Sequence, residues 1–312
     1  MENKELISKT LLTFNALLVL SIIGMIFVIY GVLHKPVKKE REPGQLIMTN
    51  AFNNIHVEAK SVYVFDIVTN KVLYEKNETA QLPLASLTKL MTALTAVELF
   101  PKDSHITVRK EFLEEEGDTG LLADESWKLK DLLDFSLMVS SNDGARSIAS
   151  VVGAFDLKTT DYNLGRKDFI TKMNIRAQEL GFLETYFINE SGLDEGSLSG
   201  GYGSTKDVAK LMQYILINRP KLLEATKYPT TTIESLNRIK HTAKNTNTDV
   251  NQIPGLLASK TGYTALAGGN LALAFDASIG RPIIVVVLGS SEKGRFTDAD
   301  TLVKASLEYV RE

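Results

Sequence analysis

The chain has 312 residues, 44% of them hydrophobic and 23% charged, with a formal net charge of −3 and no cysteine. These proportions suit one large globular domain or two small ones, and the balanced charge leaves no basic footprint for nucleic acid. Disulfides, thiol nucleophiles and thiolate-bound metals are excluded; the four histidines, His34, His56, His105 and His241, show no metal-ligand spacing, so no metal or other cofactor is expected.

After a short segment, residues 1–10, the stretch Leu11 to Leu33 carries no charged residue. At about 1.5 Å per residue it would span ~35 Å, enough to cross a bilayer core. A cleaved signal peptide has a shorter apolar core and ends at small residues. This run is longer and no such site follows it, which favours an uncleaved transmembrane anchor. Lys4 and Lys9 precede the span, and Lys35, Lys38, Lys39 and Arg41 follow it; that bias alone would put the C-terminal side in the cytoplasm. Residues 34–52 are charged, contain Pro36 and Pro43, and read as a linker. The folded domain is expected over residues 53–312.

Within that domain, Lys60–Asp66 and Lys71–Glu75 read as strands joined by a turn at Thr69-Asn70. Leu84–Phe100, bounded by Pro83 and Pro101, reads as a helix that is apolar nearly all round, hence buried. Helical spacing recurs over Trp127–Val139, Asp143–Val152, Lys167–Leu180 and Lys206–Ile217. Asn270–Phe275 and Pro282–Leu288 are β-rich and apolar, and Asp298–Val310 returns to helical spacing. Strands at both ends with helices between predict an α+β domain whose sheet joins the two ends.

Three short motifs carry the chemistry. Ser86-Leu87-Thr88-Lys89 opens the buried helix, and residues three apart share a helix face. A serine hydroxyl needs a base to become a nucleophile, and a lysine can be that base if desolvation and a second cation lower its pKa. A lysine within an apolar helix needs such a reason to be there. Ser140-Ser141-Asn142 follows a leucine-rich helix; its hydroxyl can relay a proton and its amide can hold Lys89. Lys260-Thr261-Gly262 offers the second cation, a hydroxyl for a carboxylate, and a residue that lets backbone approach closely. Each motif alone reads equally well as a cap, a loop or a turn.

In that order the three motifs resemble the low-molecular-mass penicillin-binding proteins, the serine-type D-alanyl-D-alanine carboxypeptidases of peptidase family S11. The resemblance extends to the wording of Leu84–Thr92, Asn142-Asp143, Asn189–Leu193, Ser204–Asp207, Lys260–Thr264 and Lys293–Arg295. It implies a β-lactamase/transpeptidase-like fold, an antiparallel sheet flanked by helices with an all-helical subregion. By the same resemblance Ser86 is the acylated nucleophile and Lys89 its base, while Ser140 and Asn142 assist proton transfer and substrate holding. Lys260, Thr261, Gly262, Tyr263 and Arg295 form the substrate-binding set, with Thr261 and Arg295 on the terminal carboxylate and the amides of Ser86 and Tyr263 as oxyanion hole. The implied substrate is the peptidoglycan stem peptide, β-lactams are covalent inhibitors, and the domain lies outside the cell membrane. Two departures are Tyr263, where many members have histidine, and Lys206, where arginine is common.

Three alternatives remain. A D,D-endopeptidase uses the same chemistry on cross-links. A non-enzymatic wall-peptide binder would keep only the fold. A class A β-lactamase needs a deacylating glutamate, for which Glu234-Ser235-Leu236-Asn237 is one residue short and too near the third motif.

Overall fold

Strands from the two ends of the domain meet in one antiparallel five-stranded sheet, ordered Leu256–Thr264, Gly268–Asp276, Pro282–Ser290, Ser61–Asp66 and Lys71–Lys76. The computed structural model describes residues 50–101 and 104–312. The Leu11–Leu33 span lies outside the described residues; among those described, no helix is long and apolar enough to cross a membrane.

Pairing of Val62 with Val287 and Val64 with Val285 joins the first strand to the last. Successive residues of a strand face opposite ways, and the Pro282–Ser290 strand is covered on both faces, which is why it reads as an unbroken Ile/Val run. Ile284, Val286 and Leu288 enter the core that holds most of the helices. Ile283, Val285 and Val287 enter a second core beneath the helix Gly294–Arg311, with Leu302 and Val303. Each such buried side chain contributes about 1.5–3 kcal/mol.

The larger core packs the helices Lys89–Leu99, Leu129–Val139, Asn142–Leu157, Tyr162–Glu179 and Thr205–Asn218 against one side of the sheet. Their starts are set by local chemistry. Ser141 accepts from Gly144 N at 3.0 Å, Asp161 from Asn163 N and Leu164 N, and Ser204 from Asp207 N. The α+β architecture expected from the sequence is therefore present.

Several boundaries differ. The expected Leu84–Phe100 helix begins as a 3₁₀ turn, Ala85–Thr88, and becomes α-helical only from Lys89. Trp127 is in a short strand, Ser126–Lys128, paired with His105–Thr107, and the helix starts at Leu129. The Lys260-Thr261-Gly262 motif lies within a strand of its own, the edge strand Leu256–Thr264, ahead of Gly268–Asp276. The hairpin of Thr230–Glu234 and Lys240–Lys244 has no apolar pattern in the sequence, because Ile233 and Ala243 are its buried apolar side chains. Finally, Phe52 is 2% exposed and stacks on Tyr74, so the packed domain begins before Asn53.

Candidate active site

The three motifs converge where the start of the Lys89–Leu99 helix, the junction of two helices and the edge strand meet. Ala85 has φ +48° and Ser140 φ +61°, a region that costs residues with a Cβ free energy. One precedes the candidate nucleophile and the other is a candidate site residue, so two of the strained positions lie at the site.

Lys89 is 2% exposed and its Nζ donates to Ser86 Oγ at 3.0 Å, Asn142 Oδ1 at 2.7 Å and the Ser191 carbonyl at 2.8 Å. Three donors meet three acceptors. Asn142 Nδ2 donates to the Glu116 carbonyl at 2.6 Å, which fixes the amide with its oxygen towards Lys89. Burial pushes Lys89 down from the ordinary 10.5 to about 7, against the opposing pull of the Glu190 and Glu115 carboxylates. Glu190 is itself fully buried and paired with Arg166 at 2.9 Å.

Lys260, 1% exposed, donates to Ser140 Oγ and to the Thr261 carbonyl, both at 2.8 Å. It lies well below the usual lysine range, first through burial, then through repulsion from Lys89 and Arg295. The sequence assigned Lys260 the task of depressing Lys89. Burial is the main cause at Lys89, and the repulsion between the two ammonium groups is expressed at Lys260.

Thr261, 4% exposed, shares a 2.6 Å hydrogen bond with Thr246. Gly262 has a steric reason: a Cβ there would come within 2.9 Å of the Leu84 carbonyl and 3.1 Å of Ser86 N. Only glycine lets the edge strand pass this close to the nucleophile turn. Tyr263 is half exposed at the rim. Arg295, 8% exposed, donates from Nη1 to the Gly262 carbonyl at 2.8 Å and lies over the Phe296 ring; its Nε has no hydrogen-bond partner among the described residues. All nine side chains or backbone positions named from the sequence thus belong to one connected cluster.

Within Ser140-Ser141-Asn142 the middle residue has a different task. Ser141 is fully buried, caps the Asn142–Leu157 helix and bonds Thr119 at 2.6 Å. Residues to which the sequence gave no role are Ser191, within the Asn189–Leu193 stretch, and Glu116, which act through carbonyls, and Thr246. The loop carrying Ser191 abuts the nucleophile turn: a Cβ on Gly192, at φ +81°, would sit 1.9 Å from the Ala85 carbonyl. Glu234 ends the strand Thr230–Glu234, and Asn237 in the turn that follows accepts from Ser126 N at 2.7 Å. No described contact joins Glu234 to Ser86 or Lys89. His241 is structural, bonded to Glu125 at 2.7 Å and packed on Trp127 and Phe135.

A protein-family profile described as D-alanyl-D-alanine carboxypeptidase, Peptidase_S11, matches residues 48–292. The D-alanyl-D-alanine carboxypeptidase DacF of Bacillus subtilis is 32% identical over 248 residues, which are 76% of this chain and 59% of that protein. The chain therefore spans less than two thirds of the Bacillus relative. The D-alanyl-D-alanine endopeptidase of Haemophilus influenzae is 31% identical over 217 residues, 68% of this chain and 69% of that one. Among solved structures, penicillin-binding protein D2 of Listeria monocytogenes in its ampicillin-bound form superposes with a TM-score of 0.68 at 28% identity, covering 81% of this chain and 98% of that one. The chain belongs to the D-alanyl-D-alanine carboxypeptidase family, peptidase family S11.

Proposed function

We propose that this protein is a serine-type D-alanyl-D-alanine carboxypeptidase, which removes the terminal D-alanine from peptidoglycan stem pentapeptides through an acyl-enzyme on Ser86. The observation that carries this reading is the set of acceptors around Lys89 Nζ. Asn142 Oδ1 and the Ser191 carbonyl can only accept. When Lys89 loses a proton, its lone pair has one group to face that can turn into a donor, the Ser86 hydroxyl at 3.0 Å. The site thus aims the neutral amine at the nucleophile, and burial makes the neutral amine accessible near neutral pH.

Ser86 attacks the carbonyl carbon of the penultimate D-alanine as its proton passes to Lys89. The developing oxyanion faces the amides of Ser86 and Tyr263, where Gly262 allows the strand and the turn to close on it. Lys89 gives up that proton to the leaving amine by way of Ser140, which Lys260 holds, and is neutral again. D-Alanine departs, and water, deprotonated in turn by the same base, releases the shortened peptide. The Leu256–Thr264 strand is a sheet edge, so an extended peptide can add to it as a further strand. Thr261 and Arg295 read the substrate's terminal carboxylate. A β-lactam enters the same route and stays on Ser86, since efficient β-lactamase action needs a base that Glu234 does not provide.

The substrate lies outside the cytoplasm. We therefore place the domain on the outer side of the cell membrane with Leu11–Leu33 as its single-pass anchor, against the charge bias of the flanking lysines. Mass spectrometry after penicillin treatment tests the enzyme reading: the adduct belongs on Ser86 and is absent in Ser86→Ala. An adduct elsewhere, or none on the wild type, refutes it. The endopeptidase name of the Haemophilus relative supports a second reading, cleavage of D-alanyl cross-links. Product analysis on a pentapeptide and on a cross-linked dimer separates the two.

A further inference from the structure

Thr246 joins two of the three catalytic segments, and no motif contains it. Its backbone N–H donates to the Met138 carbonyl at 3.0 Å, two residues before Ser140, while its hydroxyl meets that of Thr261 at 2.6 Å. Its neighbours hold it in place. Asn245 Nδ2 donates to the Thr226 and Tyr228 carbonyls at 2.8 and 3.0 Å, and its Oδ1 accepts from Asn247 N at 2.9 Å. Asn247 Oδ1 accepts from Asp249 N at 3.1 Å. Thr226 in turn is bonded through its hydroxyl to Ser259 N on the edge strand. The clip is therefore fastened to the strand it faces, and the Thr246 hydroxyl is delivered to Thr261 by main-chain geometry.

Two hydroxyls carry two protons, and the bond between them uses one. If Thr261 donates to Thr246, its proton is spent and it can only accept from other groups. If Thr246 donates, Thr261 keeps a proton for a substrate oxygen. An anion beside Thr261 favours the second arrangement, because a chain of donors ending on a charge strengthens each link. We infer that Thr246 is a specificity-determining positioning residue: its hydroxyl turns that of Thr261 so that the pair presents one proton to the free C-terminal carboxylate of the substrate. This rests on the carboxypeptidase reading, in which Thr261 meets that carboxylate.

The test compares acylation of Ser86 by benzylpenicillin with acylation by its methyl ester, which differs only in lacking the free carboxylate. Both rates are followed by intact mass. Thr246→Val keeps the shape and the backbone bond to Met138 but cannot donate; it should slow the free acid about tenfold more than the ester, the usual cost of one hydrogen bond to a charged group. Thr246→Ser should restore the discrimination, and Thr248→Val, on the exposed side of the same loop, should leave both rates as in the wild type. If the valine protein does not accumulate, Thr246→Ala serves in its place. Equal slowing of acid and ester, or no slowing of either, overturns the inference while leaving the enzyme reading intact. Failure of the wild type to be acylated at Ser86 refutes the enzyme reading itself.

Discussion

The pH dependence of acylation follows directly from the surroundings of Lys89. Its amine must be neutral to take the Ser86 proton, and burial brings its pKa from 10.5 down to about 7. Because the active form is the deprotonated one, activity rises with pH through that midpoint. Below it the neutral fraction falls about tenfold per pH unit, so at pH 5 only about 1% of Lys89 is competent and acylation runs about a hundredfold under its plateau. The assay is the second-order rate of penicillin adduct formation on Ser86 between pH 5 and 9. A flat profile, or a rise centred near 10.5, refutes the assignment of Lys89 as base. Lys89 and Lys260 repel one another, and that repulsion is expressed at Lys260. Lys260→Gln should leave the rising limb near 7, because burial and not Lys260 sets the Lys89 midpoint. Lys89→Arg keeps the charge but cannot deprotonate in this range; it should lose most acylation while its thermal unfolding stays close to that of the wild type.

Gly192→Ala should destabilise the fold by more than 1 kcal/mol, because the new Cβ meets the Ala85 carbonyl and the backbone is left-handed; a thermal melt no lower than that of the wild type would contradict this. A soluble chain starting at Met48 should outlast one starting at Asn53 in a denaturant titration, since the shorter one lacks the buried Phe52 side chain, a loss of about 3–5 kcal/mol. Equal midpoints would place Phe52 outside the stabilising core. Arg295→Ala removes both a cation and the donor to the Gly262 carbonyl. It should slow acylation by penicillin and by its methyl ester, and the free acid about tenfold to a hundredfold more; an unchanged acid-to-ester ratio would make Arg295 a strand support alone. Reporter fusions after residue 53 should signal an extracytoplasmic position, and a cytoplasmic signal would show that Lys35 to Arg41 set the orientation.

Legibility in the sequence followed the kind of group involved. The Pro282–Ser290 strand and the buried helix at Lys89 could be read because burial on all sides leaves an apolar run. The edge strand Leu256–Thr264 could not, because its buried centre is Ala258-Ser259-Lys260-Thr261-Gly262, where site chemistry replaces the apolar pattern that marks a strand. Trp127 continued the helical spacing of the residues after it, yet its ring is fully buried from a two-strand ribbon, a placement decided by its packing on Phe135 and His241.

The same division runs through the site. Ser86, Lys89, Asn142 and Lys260 act through side chains, and side chains are what a sequence spells. Of the five acceptors around the two lysine ammonium groups, three are side chains of the motifs and two are carbonyls, those of Ser191 and Thr261, and every residue carries a carbonyl alike. What distinguishes the Ser191 carbonyl is the path of its loop, set by Gly192 against Ala85 and by Asn189 Oδ1 accepting from Gly192 N at 2.7 Å. The orientation of the Lys89 ammonium therefore depends on backbone placed by residues that never touch it. Substitutions that bend the loop should disturb the base more than those that alter Ser191's own hydroxyl, and comparing the pH midpoints of Ser191→Ala and Gly192→Ala measures that difference. A larger shift in Ser191→Ala would mean that the hydroxyl, not the carbonyl, holds Lys89 in place.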